Sequence, residues 1–287
     1  MLTIGMATYD DYDGVYFTLA ALRLYHPDVI RSVKLVVIDN NPASDGAERL
    51  RQLCNRMGVR YEPFGEIAGT APAKNRLFDV AETDWVCCVD SHVLLAPNAV
   101  ESLLKYASEN PDSADLISGP LLYDQLHIST HMADEWRGGM WGTWATDERG
   151  KGETPFEIPA MGMGCFAMRR VTWPGFNRNF REFGGEEWYI HEKVRQRGGR
   201  CLCLPQLQWQ HRFGDPAGGR KSPLGLWGKV RNYMIGLNEL GIDFSRLRSH
   251  FVEGLNTDGT TSRDNRMQQH HFDQLAHNPT MWPIRFE

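Results

Sequence analysis

The sequence predicts an α/β fold: a mixed, mainly parallel sheet flanked by helices, followed by a helical or irregular C-terminal extension. Three observations predict it. Short apolar runs and amphipathic stretches alternate over residues 1–125, the pattern of successive βαβ units. The run Trp85-Val86-Cys87-Cys88-Val89 is unbroken and partly β-branched, as in a strand buried on both faces. Two of the runs stop at an acid, Asp39 and Asp90, and open α/β sheets bind ligands just beyond the carboxyl ends of their strands.

Taken in order, Leu2 to Thr8 reads as the first strand, and the polar turn from Tyr9 to Gly14 follows. Val15 to Tyr25 has helical periodicity and stops before His26-Pro27. Val33 to Ile38 is a second strand, Ala47 to Met57 an amphipathic helix, and Val59 to Phe64 a third strand. Pro72 suits the first position of a helix that passes through Lys74 and ends near Ala81. After the Trp85 strand, Pro97 opens a helix to about Glu109, and Leu116 to Tyr123 is read as one strand.

Beyond Asp124 the alternation breaks. Trp136, Trp141 and Trp144 stand among Gly138, Gly139 and Gly142, which is no helix. The segment reads equally as a strand pair closing the core and as an aromatic wall for a sugar or base. Gly164 to Met168 is a strand. Gly184-Gly185 opens a helix to about Arg197, which Gly198-Gly199 stops. Arg200 to Leu204 is the last strand, with His211 a few residues beyond Pro205. Gly214 to Pro223 is rich in glycine, proline and basic residues and is expected to be a lid. Leu224 to Leu240 is a helix, and the tail from Arg248 is expected to be polar and irregular.

The 287 residues are 41% hydrophobic and 23% charged, an ordinary globular composition. A net charge of −5 gives no global attraction to nucleic acid or anionic membrane. No apolar run approaches the ~20 residues of a transmembrane helix, and the first residues read as a strand and not as a signal peptide. The six cysteines form no C-x-x-C pair, so reduced core cysteines in a cytoplasmic protein are expected.

Asp90-Ser91-His92 carries the chemistry. Two residues apart at a strand end, Asp90 and His92 can reach one point, and a carboxylate with an imidazole suits a divalent ion such as Mn²⁺. The plainer alternative is an Asp that caps a turn and a surface His.

The first half resembles the nucleotide-binding half of GT-A-fold glycosyltransferases, with an acid at the second strand end and D-x-H at a later one. The second half resembles the polypeptide N-acetylgalactosaminyltransferases, whose motifs include D-S-H, P-x-M-x-G-G-x-F-A, W-G-G-E-N, a G-G turn and a late His. Here they stand as Asp90-Ser91-His92, Pro159-Ala160-Met161-Gly162-Met163-Gly164-Cys165-Phe166-Ala167, Gly184-Gly185-Glu186-Glu187, Gly198-Gly199 and His211. The resemblance spans about residues 1–212. It implies a catalytic domain over 1–212, with a nucleotide-binding half (1–125) and a sugar and acceptor half (126–212), and an extension over 213–287. Phe183 stands where that family has Trp, and Glu187 where it has Asn. Gly-Glu-Glu also resembles the Glu-Asp of inverting family-2-like transferases, so retention and inversion both stay open.

The resemblance implies Asp90, His92 and His211 as ligands of Mn²⁺ or Mg²⁺, and Glu186 and Glu187 as the catalytic acids. Thr8, Asp39, Lys74, Asp90 and Ser91 are placed with a UDP-sugar donor, Asp39 at the uracil and Lys74 at a phosphate. The acceptor hydroxyl belongs to a protein, a glycan or a modified nucleic-acid base. A nucleotidyltransferase would want a basic glycine-rich loop after the first strand, where Tyr9-Asp10-Asp11 is acidic. A non-catalytic sugar-binding protein would have no need of the intact acids and histidines.

Overall fold

The computed structural model describes residues 1–125, 127–212, 225–261 and 266–284. Its strands are β1 (Leu2–Thr8), β2 (Lys34–Asp39), β3 (Arg60–Pro63), β4 (Trp85–Asp90), β5 (Val93–Leu95), β6 (Leu116–Ser118), β7 (Leu121–Leu122), β8 (Ile128–Ser129), β9 (His131–Arg137), β10 (Met140–Ala145), β11 (Phe156–Glu157), β12 (Cys165–Arg169), β13 (Cys201–Cys203) and β14 (Trp209–His211). The helices are α1 (Tyr12–Tyr25), α2 (Ala47–Arg56), α3 (Thr70–Val80), α4 (Ala99–Glu109), α5 (Glu186–Gln196), α6 (Leu226–Leu240), α7 (Ser245–Arg248) and α8 (Gln269–His277).

The main sheet runs in the order β11-β13-β6-β12-β4-β1-β2-β3. The strands β3, β2, β1 and β4 are mutually parallel, and β12 is antiparallel to both β4 and β6. The apolar runs of β1 and β4 are buried nearly throughout, as strands covered on both faces must be. A second sheet, β5-β14-β7-β8, stands beside the end of β4. All six cysteines are buried and free. No helix among the described residues is long and apolar enough to cross a membrane.

Several sequence expectations shift. Leu116 to Tyr123 is two strands in different sheets, broken at Gly119-Pro120. A Cβ on Gly119 would lie 1.7 Å from the Leu207 carbonyl oxygen, so the chain turns away where another backbone crosses it. Helix α3 begins at Thr70, which moves Pro72 from the first to the third helical position; the first-turn N–H groups have no intrahelical acceptor, so proline is still tolerated. His211 ends a strand, β14, that the sequence does not announce.

The tryptophan-rich segment is the hairpin β9–β10. Trp136 and Trp141 are buried and stacked, and Trp141 stacks in turn on Trp188 of α5. They form a second core with Tyr233, Met234, Phe251 and Phe272. Only Trp144 of the three stays partly exposed, over Gly162. The tail is therefore not irregular: α7 and α8 cover this core, because Leu247, Phe251, Phe272 and Leu275 supply an apolar side that the polar composition hides. The lid expected over Gly214 to Pro223 lies outside the described residues.

Candidate active site

The register of the two sheets brings the metal-type residues together. Asp90 closes β4, and the turn Ser91-His92 leads into β5. In the antiparallel pairing of β14 with β5, His211 lies opposite Val93, one residue from His92. The N–H of Asp90 donates to the Gly164 carbonyl at 2.9 Å, so the lead-in to β12 fixes the same corner. A Cβ on Gly164 would lie 2.8 Å from Trp209 and 3.2 Å from His211, which is why this motif position takes glycine. Asp90, His92 and His211 each offer a ligand atom, all within 4.8 Å of one another. The imidazoles of His92 and His211 meet edge to face, with centroids 4.6 Å apart. One carboxylate and two imidazoles converging on a half-exposed corner form a donor set that fits a divalent first-row ion.

Lys74 lies under this corner. Its Nζ is 2.9 Å from Asp90 Oδ1 and donates to the Met163 carbonyl at 2.6 Å, and the side chain is 2% exposed. Lys74, expected at a phosphate, thus forms an ion pair with Asp90 in the ligand-free protein. Burial alone would raise the Asp90 pKa, but the Lys74 ammonium and then His211 hold it well below the usual carboxylate range. Burial likewise opposes the Lys74 charge, yet the surrounding groups, Asp90 foremost, together outweigh it and the pKa rises.

The remaining donor-side candidates lie at or just beyond strand ends. Asp39 is buried at the end of β2; Oδ1 accepts from the Asn41 N–H and Oδ2 from the Tyr61 hydroxyl. Thr8 is buried at the end of β1, with no hydrogen-bond partner for its hydroxyl. Ser91 is buried and donates its hydroxyl to Asp11 at 2.8 Å, which braces the turn.

The two acids open α5. Gly184 and Gly185 have φ of +101° and +92°, a left-handed conformation that favours glycine. Asn232 of α6 is buried and donates to the Arg181 and Gly184 carbonyls while accepting from the Arg181 N–H. Sequence reasoning missed this residue, since a mid-helix Asn has no local signature. His191 accepts from the Met161 N–H and donates to the Glu187 carbonyl; burial pushes its pKa down to about 3, so it stays neutral. Glu186 is buried and neither carboxyl oxygen accepts a hydrogen bond of good geometry. Burial first, and the Glu187 carboxylate second, push its pKa up to about 8. Glu187 is half-buried, and burial raises its pKa too.

These shifts give a testable pH dependence. The folded-state pKa of Glu186 exceeds its ordinary value of 4.5, so the folded state holds more protons than the unfolded one between about pH 4.5 and 8, and stability falls as pH rises through that window. His191 gives the opposite slope, but only below its ordinary value of 6.5. Urea unfolding at pH 6.5 and 8 is expected to show wild type losing stability by up to a few kcal/mol relative to Glu186→Gln. Equal slopes in the two proteins would refute the protonated Glu186.

A cavity of about 610 Å³ opens at the opposite end of the sheet, lined in part by Arg23, Arg31, Lys34 and Arg60. Arg23 and Arg60 donate to the Met57 and Val80 carbonyls at the ends of α2 and α3. Two of its cations thus serve helix C-termini, at the sheet end away from the converging ligands.

The sheet order, the acids at strand ends and the corner at Asp90 define a GT-A-fold glycosyltransferase. Residues 3–172 match the model of glycosyl transferase family 2, and the chain belongs to that family. Among solved structures it is similar to GalNAc-T7 with UDP, GalNAc and Mn²⁺ (TM-score 0.65, 17% identity, 83% of this chain and 47% of that one). It is also similar to the mannosyltransferase PcManGT from Pyrobaculum calidifontis with GDP-Man and Mn²⁺ (0.55, 15%, 83% and 63%), and to S. aureus TarS 1–349 (0.53, 12%, 86% and 67%). The chain thus spans about half the length of the GalNAc-T7 structure. No curated protein sequence matches it.

Proposed function

We propose that the protein transfers a sugar from a UDP-sugar, a hexose or N-acetylhexosamine donor, to a hydroxyl acceptor with retention of anomeric configuration, using Mn²⁺ or Mg²⁺ held by Asp90, His92 and His211. The observation that carries this reading is the gathering of those three ligand atoms at the carboxyl edge of the sheet, beside a buried acid whose oxygens lack partners. A divalent ion there supplies Lewis-acid compensation for the charge that builds on a departing diphosphate. In the transfer, the bond from the anomeric carbon to the diphosphate oxygen breaks, a bond to the acceptor oxygen forms, and the acceptor proton passes to the departing diphosphate.

Asp39 accepts a nucleobase N–H, a reading supported by a carboxylate oxygen's capacity for a second bond beyond the one it already accepts. Thr8 lies at the adjacent strand end. Glu186, protonated near neutral pH, donates to and accepts from donor-sugar hydroxyls. The acceptor is a protein side chain, a glycan or a hydroxymethylated base, each of which offers the hydroxyl required.

One observation favours a second reading. Glu187 is half-exposed and its pKa is raised, which brings a carboxylate toward the range where general bases work best. In an inverting enzyme it would take the acceptor proton. The test is UDP release in a coupled assay with Mn²⁺ across UDP-sugars, then proton NMR of the product. Retention predicts an α product from an α-linked donor, with Glu187→Gln losing much less than the ~10²–10⁴-fold that general-base removal costs. A β product with a loss in that range would replace the first reading by the second. No UDP release from any donor would refute both.

A further inference from the structure

Asp11 joins three segments that build the corner. It is the N-cap of α1, where Oδ1 accepts from the Gly14 N–H at 3.1 Å. The same oxygen accepts from Arg212 Nη2 at 3.0 Å, just beyond His211. Oδ2 accepts from Ser91 Oγ at 2.8 Å and lies 2.8 Å from His92 Nδ1. The start of α1, the β4–β5 turn and the end of β14 are thus held by one carboxylate.

An ionised carboxylate only accepts hydrogen bonds, and a neutral imidazole carries its proton on one nitrogen while the other presents a lone pair. The contact at His92 Nδ1 therefore requires the proton there and leaves the lone pair on Nε2. Rotation of the ring is resisted at the same time, because the Asp11 carboxylate is itself fixed by the helix cap, Ser91 and Arg212. We propose that Asp11 is a positioning residue of the metal site: it fixes the tautomer and ring orientation of His92, so that Nε2 is the nitrogen presented to a divalent ion. The proposal rests on the metal reading of Asp90, His92 and His211. Outer carboxylates that hold a ligand imidazole are typically worth about 10–100-fold in metal affinity.

A helix cap alone would explain the Gly14 contact but not the contact to His92, and substitutions separate the two roles. Asn and Ser are both good N-caps. In Asp11→Asn, the Gly14 N–H and Arg212 both donate toward the Oδ1 position, so the side-chain oxygen belongs there and the amide NH₂ faces His92. An NH₂ donor cannot accept the Nδ1 proton, so His92 is driven to carry its proton on Nε2. In Asp11→Ser the hydroxyl is too short to serve the cap and His92 together.

The experiment is Mn²⁺ binding followed by electron paramagnetic resonance of the free ion, with thermal unfolding of each protein as the folding control. Histidine tautomers are read from ¹H–¹⁵N correlations in the metal-free protein, the His92 signal being identified by its loss in His92→Ala. Three results are expected: the Nδ1–H tautomer for His92 in wild type, the Nε2–H tautomer in Asp11→Asn, and about 10–100-fold weaker Mn²⁺ binding in both Asp11→Asn and Asp11→Ser at near-wild-type unfolding temperatures. Wild-type binding in both variants, or an Nε2–H tautomer in wild type, overturns the role of Asp11 while loss of binding in His92→Ala leaves the metal reading standing. Equal binding by wild type and His92→Ala overturns the metal reading and this role with it.

Discussion

Lys74→Met is expected to destabilise the fold by about 3–5 kcal/mol, the usual consequence of removing one partner from a buried ion pair. The cause is the charge left behind. Asp90 keeps three-quarters of its side chain out of solvent, and without Lys74 its carboxylate loses the ammonium that most strongly favours its charged form. Asp90→Ala has the converse problem, because it leaves an ammonium that is 2% exposed with the Met163 carbonyl as its hydrogen-bond acceptor among the described residues. A loss of activity in either single variant therefore confounds folding with chemistry. The double variant Lys74→Met/Asp90→Leu separates them: replacing a buried pair by apolar groups of similar volume is often neutral or stabilising. Urea unfolding is expected to show the double variant well above either single one, while transfer stays lost because a metal-type ligand is gone. A double variant as unstable as the sum of the singles would mean that the pair is not an isolated electrostatic unit.

This ion pair also marks the boundary of what the sequence discloses. The parallel half of the sheet is legible because buried strands are apolar on both faces and ligands collect at their carboxyl ends, as β1, β2 and β4 illustrate. Asp90, His92 and the Gly-Gly-Glu-Glu turn are legible because short spacing ties their geometry to local structure. The burial of Lys74 is not: the resemblance places it at a phosphate, while its burial depends on α3 packing over β12's lead-in, a contact separated by 89 residues. Asp11 was hidden the same way, since an acid before a helix reads as a cap and its contact to His92 spans 81 residues. Nor does the apolar side of the tail show in composition, because Phe251, Met267, Phe272 and Leu275 are spread thinly among polar residues and meet only against the tryptophans of β9–β10. The split of the Leu116 run has the same origin, in a backbone crossing at Leu207.

His211→Ala is expected to lower transfer by about 10³-fold or more at saturating Mn²⁺, since several kcal/mol of charge compensation correspond to that factor. Asp90 is tied to Lys74 at 2.9 Å and His92 to Asp11 at 2.8 Å, whereas the contact of His211 to Asp90 is a longer 3.5 Å from Nε2 to Oδ2. Its backbone position is set independently by the pairing of β14 with β5, so alanine should leave the strand intact. Thermal unfolding of the variant is therefore expected near wild type, with Mn²⁺ binding by electron paramagnetic resonance weakened in parallel with activity. Near-normal turnover at saturating Mn²⁺ would remove His211 from the ligand set and leave Asp90 and His92 alone. Lost turnover with unchanged Mn²⁺ binding would instead assign His211 to the donor and not to the ion.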